Sequence, residues 1–395
     1  MSLSISAIAH DARTRLLQQI LPWWTENAVD TRYGGIRTMV TEDGQIVGDD
    51  KFVWSQARWL WVASATCNRL AASPSLEQTA EQTATFLRLF GQQQPGCWNY
   101  RLSRTGDVVE GPLSIFSDCF AIYGLSEYFR LSKQQWALDL ALLTFHGVCA
   151  RVEAGGFQEI APYQMEPGLR AHAVSMILVE TAQELSITVG GSEEIDAVAD
   201  DCFTQILEHF LQPQSGLVVE YLNRDYTKLP GPEGALVVPG HAIECMWFLA
   251  HLSIRRKHRA SLDLIGETVL RHLEFGWDPE FGGLFLNGSV QGDFHAYPHG
   301  DMKIWWPHTE ALYALALLFH VTQDARFSQW YAKVHAWSRQ HFQMPSGEWR
   351  QRLLRDGSPS EKTIALPVKD PFHLPRTLIN LATLTNIEAP ALSNS

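Results

Sequence analysis

Apolar residues recur at intervals of three and four through most of the chain, as helices buried along one stripe require. The helical patterns come in pairs. FVWSQARWLWVASATCNRLA is followed by SLEQTAEQTATFLRLF, and IFSDCFAIYGLSEYFRL by QQWALDLALLTFHGVCA. Glycine-centred turns with short β-like flanks separate the pairs: YGGIRT at Tyr33, GCWNYRLSRTGD at Gly96, GGFQEI at Gly155, SGLVVEYLNRD at Ser215, FGGLFLNG at Phe281 and SGEWRQRLLRDG at Ser346. Their spacing is roughly 60 to 65 residues, a regular period of the kind that marks repeat architecture. Two helices per period predict about twelve helices, arranged as an all-α (α/α)6 barrel with short β-hairpin turns at one end. An open α-solenoid fits the same pattern, because a period does not show closure. No Pro/Gly/Ser-rich stretch is long enough to divide the chain, so residues 1–395 read as a single domain.

Composition narrows the chemistry. With 395 residues, 46% apolar and 19% charged, the chain can bury a large core. A formal net charge of -12 disfavours nucleic acid and anionic membranes, which select basic patches. There is no apolar run long enough to span a bilayer, and the N-terminal stretch lacks the basic-then-apolar pattern of a secretion signal. The six cysteines are scattered, with no CxxC, so neither a zinc site nor a disulfide framework is expected and a cytoplasmic location is. The metal-protease motif HExxH is absent, as are the phosphate loop GxxxxGK[ST] and the nucleophile elbow GxSxG. No metal and no required cofactor are expected. The 14 tryptophans and 19 phenylalanines suit either a core or a sugar site.

Four stretches concentrate polar groups at predicted helix starts. KIWWPHTEAL (303–312) brings Trp305, Trp306, His308 and Glu310. PGHAIECMW (239–247) brings His241 with Glu244 three residues on, which also reads as a helix-capping pair. DPFHLPRTL (370–378) holds His373 between apolar neighbours, where a hydrogen-bonded core histidine is the plainer reading. KFVWSQARWLW (51–61) puts Arg58 among rings, where a buried cation needs a partner or an oxygen-rich ligand. FSDCF (116–120) and GEWRQRL (347–353) add Asp118, Glu348 and Arg350, which also read as ordinary pairs between helices.

Taken together and in order, DKFVWSQARWLW, LSIFSDCF, PGHAIECMWFL, GWDPEFGGLF, MKIWWPHTEALYALAL and FHLPRTLINL resemble the N-acylglucosamine 2-epimerase family, which includes renin-binding proteins. The resemblance spans roughly residues 30–385 and implies the (α/α)6 barrel. It implies catalytic roles for His241 and His373 and substrate-binding or supporting roles for Arg58 and Glu310. Trp305, Trp306 and His308 would lie in or near the pocket, with Glu244 and Asp118 as further candidates. His172 in RAHAVSMIL stands where an apolar residue is expected, and is a pocket candidate of this chain's own. VKDPFHLPR in place of GCFHVPR, and SGEWRQRLLRDG in place of an EWFGYL pattern, bear on substrate choice. Some relatives respond to ATP and many form dimers. No phosphate loop supports the first here, and a homodimer stays open.

The implied chemistry is proton abstraction at C2 of an open-chain aldose. That hydrogen is weakly acidic, and its removal leaves an enolate charge on O1. A base near C2 and a cation near O1 are therefore needed, roles suited to histidine and to Arg58. Return of the proton to C2 from the other face gives an epimer, and return to C1 gives a ketose. The expected partner is a small sugar, with N-acylglucosamine 2-epimerisation foremost and mannose–fructose isomerisation the alternative. A glycoside hydrolase would need paired carboxylates flanking the bond. A non-catalytic renin-binding-like protein is the alternative from another class.

Overall fold

The structure, a computed structural model, describes residues 4–155, 168–360, 363–365 and 369–388. The GGFQEI turn beyond Gly155 lies outside the described residues, as does Val368 of the VKDPFHLPR stretch. Helix α1 (Ile5–Arg15), a π-helical turn at Leu16–Ile20 and α2 (Leu21–Asn27) run without a break. There follow α3 (Val53–Arg69), α4 (Pro74–Phe90), α5 (Ile115–Ser132), α6 (Gln135–Glu153), α7 (His172–Val189) and α8 (Glu193–Gln205). The chain continues with α9 (Pro239–Arg255), α10 (Arg259–Gly276), α11 (Trp305–Thr322), α12 (Ala325–His341) and α13 (His373–Ala382). With α1–α2 taken as one rod, the described residues form twelve rods, the number the repeat predicts.

The sequence pattern decides which rod goes inside. In α11 every residue from Pro307 to Leu318 is buried, so the helix is covered all round. In α4 burial is confined to Leu76, Thr79, Ala80, Thr83, Ala84, Phe86 and Leu87, a single stripe facing inward. The inner ring is α3, α5, α7, α9, α11 and α13, each packed on the next, and α13 packs on α3. That last contact closes the ring and excludes the open solenoid. A three-stranded antiparallel sheet made by 39–41, 46–48 and 363–365 ties the first turn to the last. Among the described residues no helix is long and apolar enough to cross a membrane.

Connections from inner to outer helices are short, and left-handed residues cap several of them, among them Lys133, Gly190 and Gln323. Connections from outer to inner helices carry the glycine turns and their small strand pairs. In YGGI and FGGL both glycines sit at φ between 73° and 78°, which a side chain would strain. Three of the turns are stapled to the helix they feed. The Ile36 amide donates to Gln56 Oε1 at 2.7 Å, the Trp98 amide to Asp118 Oδ1 at 2.9 Å, and the Leu284 amide to His308 Nε2 at 2.9 Å. Buried ion pairs repeat the device: Lys51 with Asp30 at 3.1 Å, Lys303 with Asp278 at 3.0 Å and Lys369 with Glu348 at 3.1 Å. All six inner helices thereby start at the same end of the barrel, beside the longer loops.

Candidate active site

Three inner helices bring their first turns together at that end. From α9 comes His241 with Glu244 one turn on, from α11 Trp306 with Glu310, and from α13 His373 with Arg376. Trp306 links the two histidines. Its ring centroid lies 5.2 Å from His241 at an interplanar angle of 30°, and 5.8 Å from His373 at 36°. Gly240 makes this approach possible, because a Cβ there would stand 2.6 Å from the Trp306 ring.

Each histidine has its own carboxylate. His373 Nδ1 lies 2.7 Å from Glu310 Oε1, and Glu310 Oε2 accepts the Trp247 indole N–H at 2.8 Å. Arg376 completes this cluster: its Nη2 contacts Glu244 and lies 2.9 Å from Glu310 Oε1. The guanidinium packs between Trp247, at 5.0 Å, and Phe372, at 4.6 Å. Burial favours the neutral form of His373, and with Arg58 and Arg376 outweighing the pull of Glu244 its pKa falls to about 3. The ring is therefore neutral near pH 7. Burial pushes the Glu310 carboxyl up, against the pull of Arg376.

His241 is arranged differently. Its Nδ1 lies 3.1 Å from Glu220 Oε2, and its side chain is 24% exposed, against 10% for His373. Glu220 comes from the bend between the strands 217–218 and 221–223, in the connection that leads to α9. Burial alone would raise its pKa, but His241 and His172 overcome that and hold it down at about 2. The carboxylate is thus fixed in its charged form.

Arg58 reaches the cluster from α3. Its Nη1 pairs with Asp370 Oδ2 at 3.3 Å, and its guanidinium rests on the Phe120 ring at 3.9 Å. Phe372 separates it from Arg376. Trp305 is buried, with its ring edge toward His373 at 5.9 Å, and so forms a wall behind that histidine.

Three expected pocket residues are corrected by the structure. His308 is fully buried: Nε2 accepts the Leu284 amide, and Nδ1 donates to Ile304 O at 2.8 Å. Both nitrogens are spent on backbone, which leaves none for a sugar. Asp118 accepts the Trp98 amide and lies 3.1 Å from Arg151 Nη2 of the outer helix α6, so it serves a turn. His172 is likewise fully buried, beneath Glu220 and against Phe210, with no surface open to a ligand. Glu348 and Arg350 are occupied elsewhere, by Lys369 and by Glu42.

Sequence reasoning missed Glu220, Trp247 and Asp370, and gave Arg376 no role. Spacing offered one clue: Arg376 follows His373 by three residues, as Glu244 follows His241, which puts each pair on one helix face. Glu244, Glu310 and His373 place one ligand atom each within 4.8 Å of one another, a geometry that could hold a cation. Arg376 already supplies positive charge between those two carboxylates, so the same three groups are satisfied as an ion-pair cluster.

The family model described as N-acylglucosamine 2-epimerase (GlcNAc 2-epimerase) matches residues 34–374. The N-acylglucosamine 2-epimerase of Bos taurus is 29% identical over 390 residues, covering 95% of this chain and 91% of that protein. The solved structure of cellobiose 2-epimerase from Spirochaeta thermophila superposes with a TM-score of 0.81 at 20% identity, covering 97% of each chain. A D-mannose isomerase crystal structure gives a TM-score of 0.81 at 16% identity, covering 95% of this chain and 97% of that one. These two likenesses concern the fold.

Proposed function

Because this chain belongs to the N-acylglucosamine 2-epimerase family, we propose that it is the enzyme interconverting N-acetylglucosamine and N-acetylmannosamine by moving the proton at C2 of the open-chain sugar. The observation that carries this reading is the pair of histidines on separate helices, each held at Nδ1 by a carboxylate and both flanking one indole. Two bases from different helices suit removal of a proton from one face of C2 and its return to the other.

A carboxylate on one ring nitrogen sets the ring's orientation and raises the basicity of the other, a pairing used wherever histidine handles protons. His241 and His373 are the two bases in this reading. Arg58, held by Asp370 and by rings rather than by water, supplies fixed positive charge for the enolate oxygen as it forms. Arg376 holds Glu244 and Glu310 in place and does not itself meet the sugar. Trp306 offers the flat apolar face on which sugar C–H groups stack.

Proton NMR in D2O with N-acetylmannosamine, N-acetylglucosamine, mannose and fructose, each supplied separately, tests the proposal. Interconversion of the two N-acetyl sugars with deuterium entering at C2 is expected. Mannose turning to fructose, with no change in the N-acetyl sugars, would make the enzyme an aldose–ketose isomerase. Absence of exchange on all four would overturn C2 chemistry on monosaccharides.

A further inference from the structure

Glu220 is held more firmly than a surface turn needs. Its amide donates to Leu236 O at 2.9 Å, and its carbonyl accepts the His172 amide at 2.9 Å. Two residues earlier, the Val218 amide donates to His272 Nε2 at 3.0 Å, while His272 Nδ1 donates to Thr268 O at 2.7 Å. That histidine is neutral and fixed in one tautomer, and it anchors the strand from behind. The carboxylate so positioned meets two imidazoles: His241 Nδ1 at 3.1 Å from Oε2, and His172 Nδ1 at 3.6 Å from Oε1. His172 is fully buried, and neither of its ring nitrogens has a hydrogen-bond partner among the described residues, so Glu220 Oε1 is what its ring is offered. The titratable groups that face Glu220 are His172 from α7, His241 from α9 and, behind them, His272 from α10 and Cys245 from α9. None is a permanent cation.

We propose that Glu220 and His172 are positioning residues for His241: Glu220 orients the ring and lends it negative charge, and His172, by sharing that carboxylate, sets how much of the charge His241 receives. This rests on the reading of His241 as a base at C2. His172 never touches the sugar in this arrangement. Its effect on His241 passes only through Glu220.

The test is the titration of His241 followed by NMR of histidine-15N-labelled full-length protein, alongside kcat and KM. Glu220→Gln removes the charge and keeps the shape. It should move the His241 midpoint down by about one pH unit, since an opposite charge at this distance favours the charged ring. It should lower kcat about 10- to 100-fold with KM within about twofold, the scale of losing a partner that orients a functional histidine rather than the base itself. His172→Phe leaves Glu220 to His241 alone and should move the midpoint up. The double variant should titrate as Glu220→Gln does, because His172 then has no lever. If His172→Phe fails to fold, His172→Leu serves, with a shift of the same sign. Unchanged midpoints in both single variants, or shifts that simply add in the double, would overturn the proposal. The NMR titration needs no substrate, so these outcomes stand apart from a failure of wild-type exchange on sugars, which would overturn the functional reading instead.

Discussion

His373 with Glu310 and His241 with Glu220 are the same chemical unit built twice, and they differ in the third partner. Glu310 answers to Arg376 and Trp247 as well as to His373, so a permanent cation draws on its charge. Among the described residues, the Glu220 carboxylate answers to histidines alone. The first pair is deeper, and there burial wins and keeps the ring neutral. The second is more open, and its histidines hold the carboxylate ionised. A histidine's surroundings are therefore set by what else its carboxylate must satisfy, and the two histidines are inequivalent by construction.

The comparison breaks most visibly when either ring is removed. His241→Asn and His373→Asn should each lower epimerisation by about a thousandfold or more, at the upper end of what one acid or base contributes. The two should not be alike. Each variant should keep exchange of the C2 proton in one epimer and lose it in the other, which deuterium incorporation from D2O reads directly. Loss of exchange from both epimers in one variant, with both retained in the other, would mean that one histidine serves both faces.

Arg376→Met tests the third partner. It leaves Glu244 and Glu310 buried without their cation, a change that costs about 3–5 kcal/mol when one member of a buried pair is lost. The melting temperature should fall steeply, and Glu310→Gln in the same chain should restore part of it. An unchanged melting temperature would show that the two carboxylates do not depend on Arg376.

The ring of helices and the heads of α9, α11 and α13 were legible in the sequence, because PGHAIE, WWPHTE and FHLPR are local patterns at helix starts. Closure was not legible: it rests on α13 meeting α3 and on strand 363–365 joining 39–41, contacts between the two ends of the chain. Glu220 was not legible either. It sits in a bend between two short strands, with no helical period, and only the fold carries it under His241. The misplacement of His308 and Asp118 has a common cause. A polar side chain at a helix start looks the same whether it faces a sugar or a loop amide. The staple is visible only once Gln56–Ile36, Asp118–Trp98 and His308–Leu284 are seen as one repeated contact.

Stability against pH carries the mark of the buried pair. Burial holds His373 and His308 at about 3, and His251 and His272 at about 4. Unfolded, all four titrate near their ordinary value of about 6.5. As pH falls below that value the unfolded chain takes up protons that the folded one refuses, so folding stability drops. Burial acts oppositely on Glu180, raised to about 7, and Asp118, raised to about 6, whose strain is relieved as pH falls. Four histidines against two carboxylates leave a net difference of about two protons, or roughly 3 kcal/mol per pH unit near pH 5. Melting followed by circular dichroism from pH 7 to 5 should show the loss. A stability that is flat or rising over that range would mean the histidines are charged in the fold.

The smallest effect is expected where a carboxylate at the same end of the barrel meets no histidine. Asp118 is fully buried, and its charge is disfavoured there even with Arg151 at 3.1 Å. Asn in its place keeps an oxygen for the Trp98 amide and removes a charge that burial penalises. What is lost is the pairing with Arg151, whose side chain is 32% exposed and well screened. Asp118→Asn should therefore change stability by no more than about 1 kcal/mol. Its kcat and KM should stay within about twofold, because the staple and not its charge is what α5 needs. A tenfold fall in kcat/KM with an unchanged melting curve would put Asp118 back in contact with the sugar. It would also mean that the two histidine–carboxylate pairs are not the whole of the charged machinery.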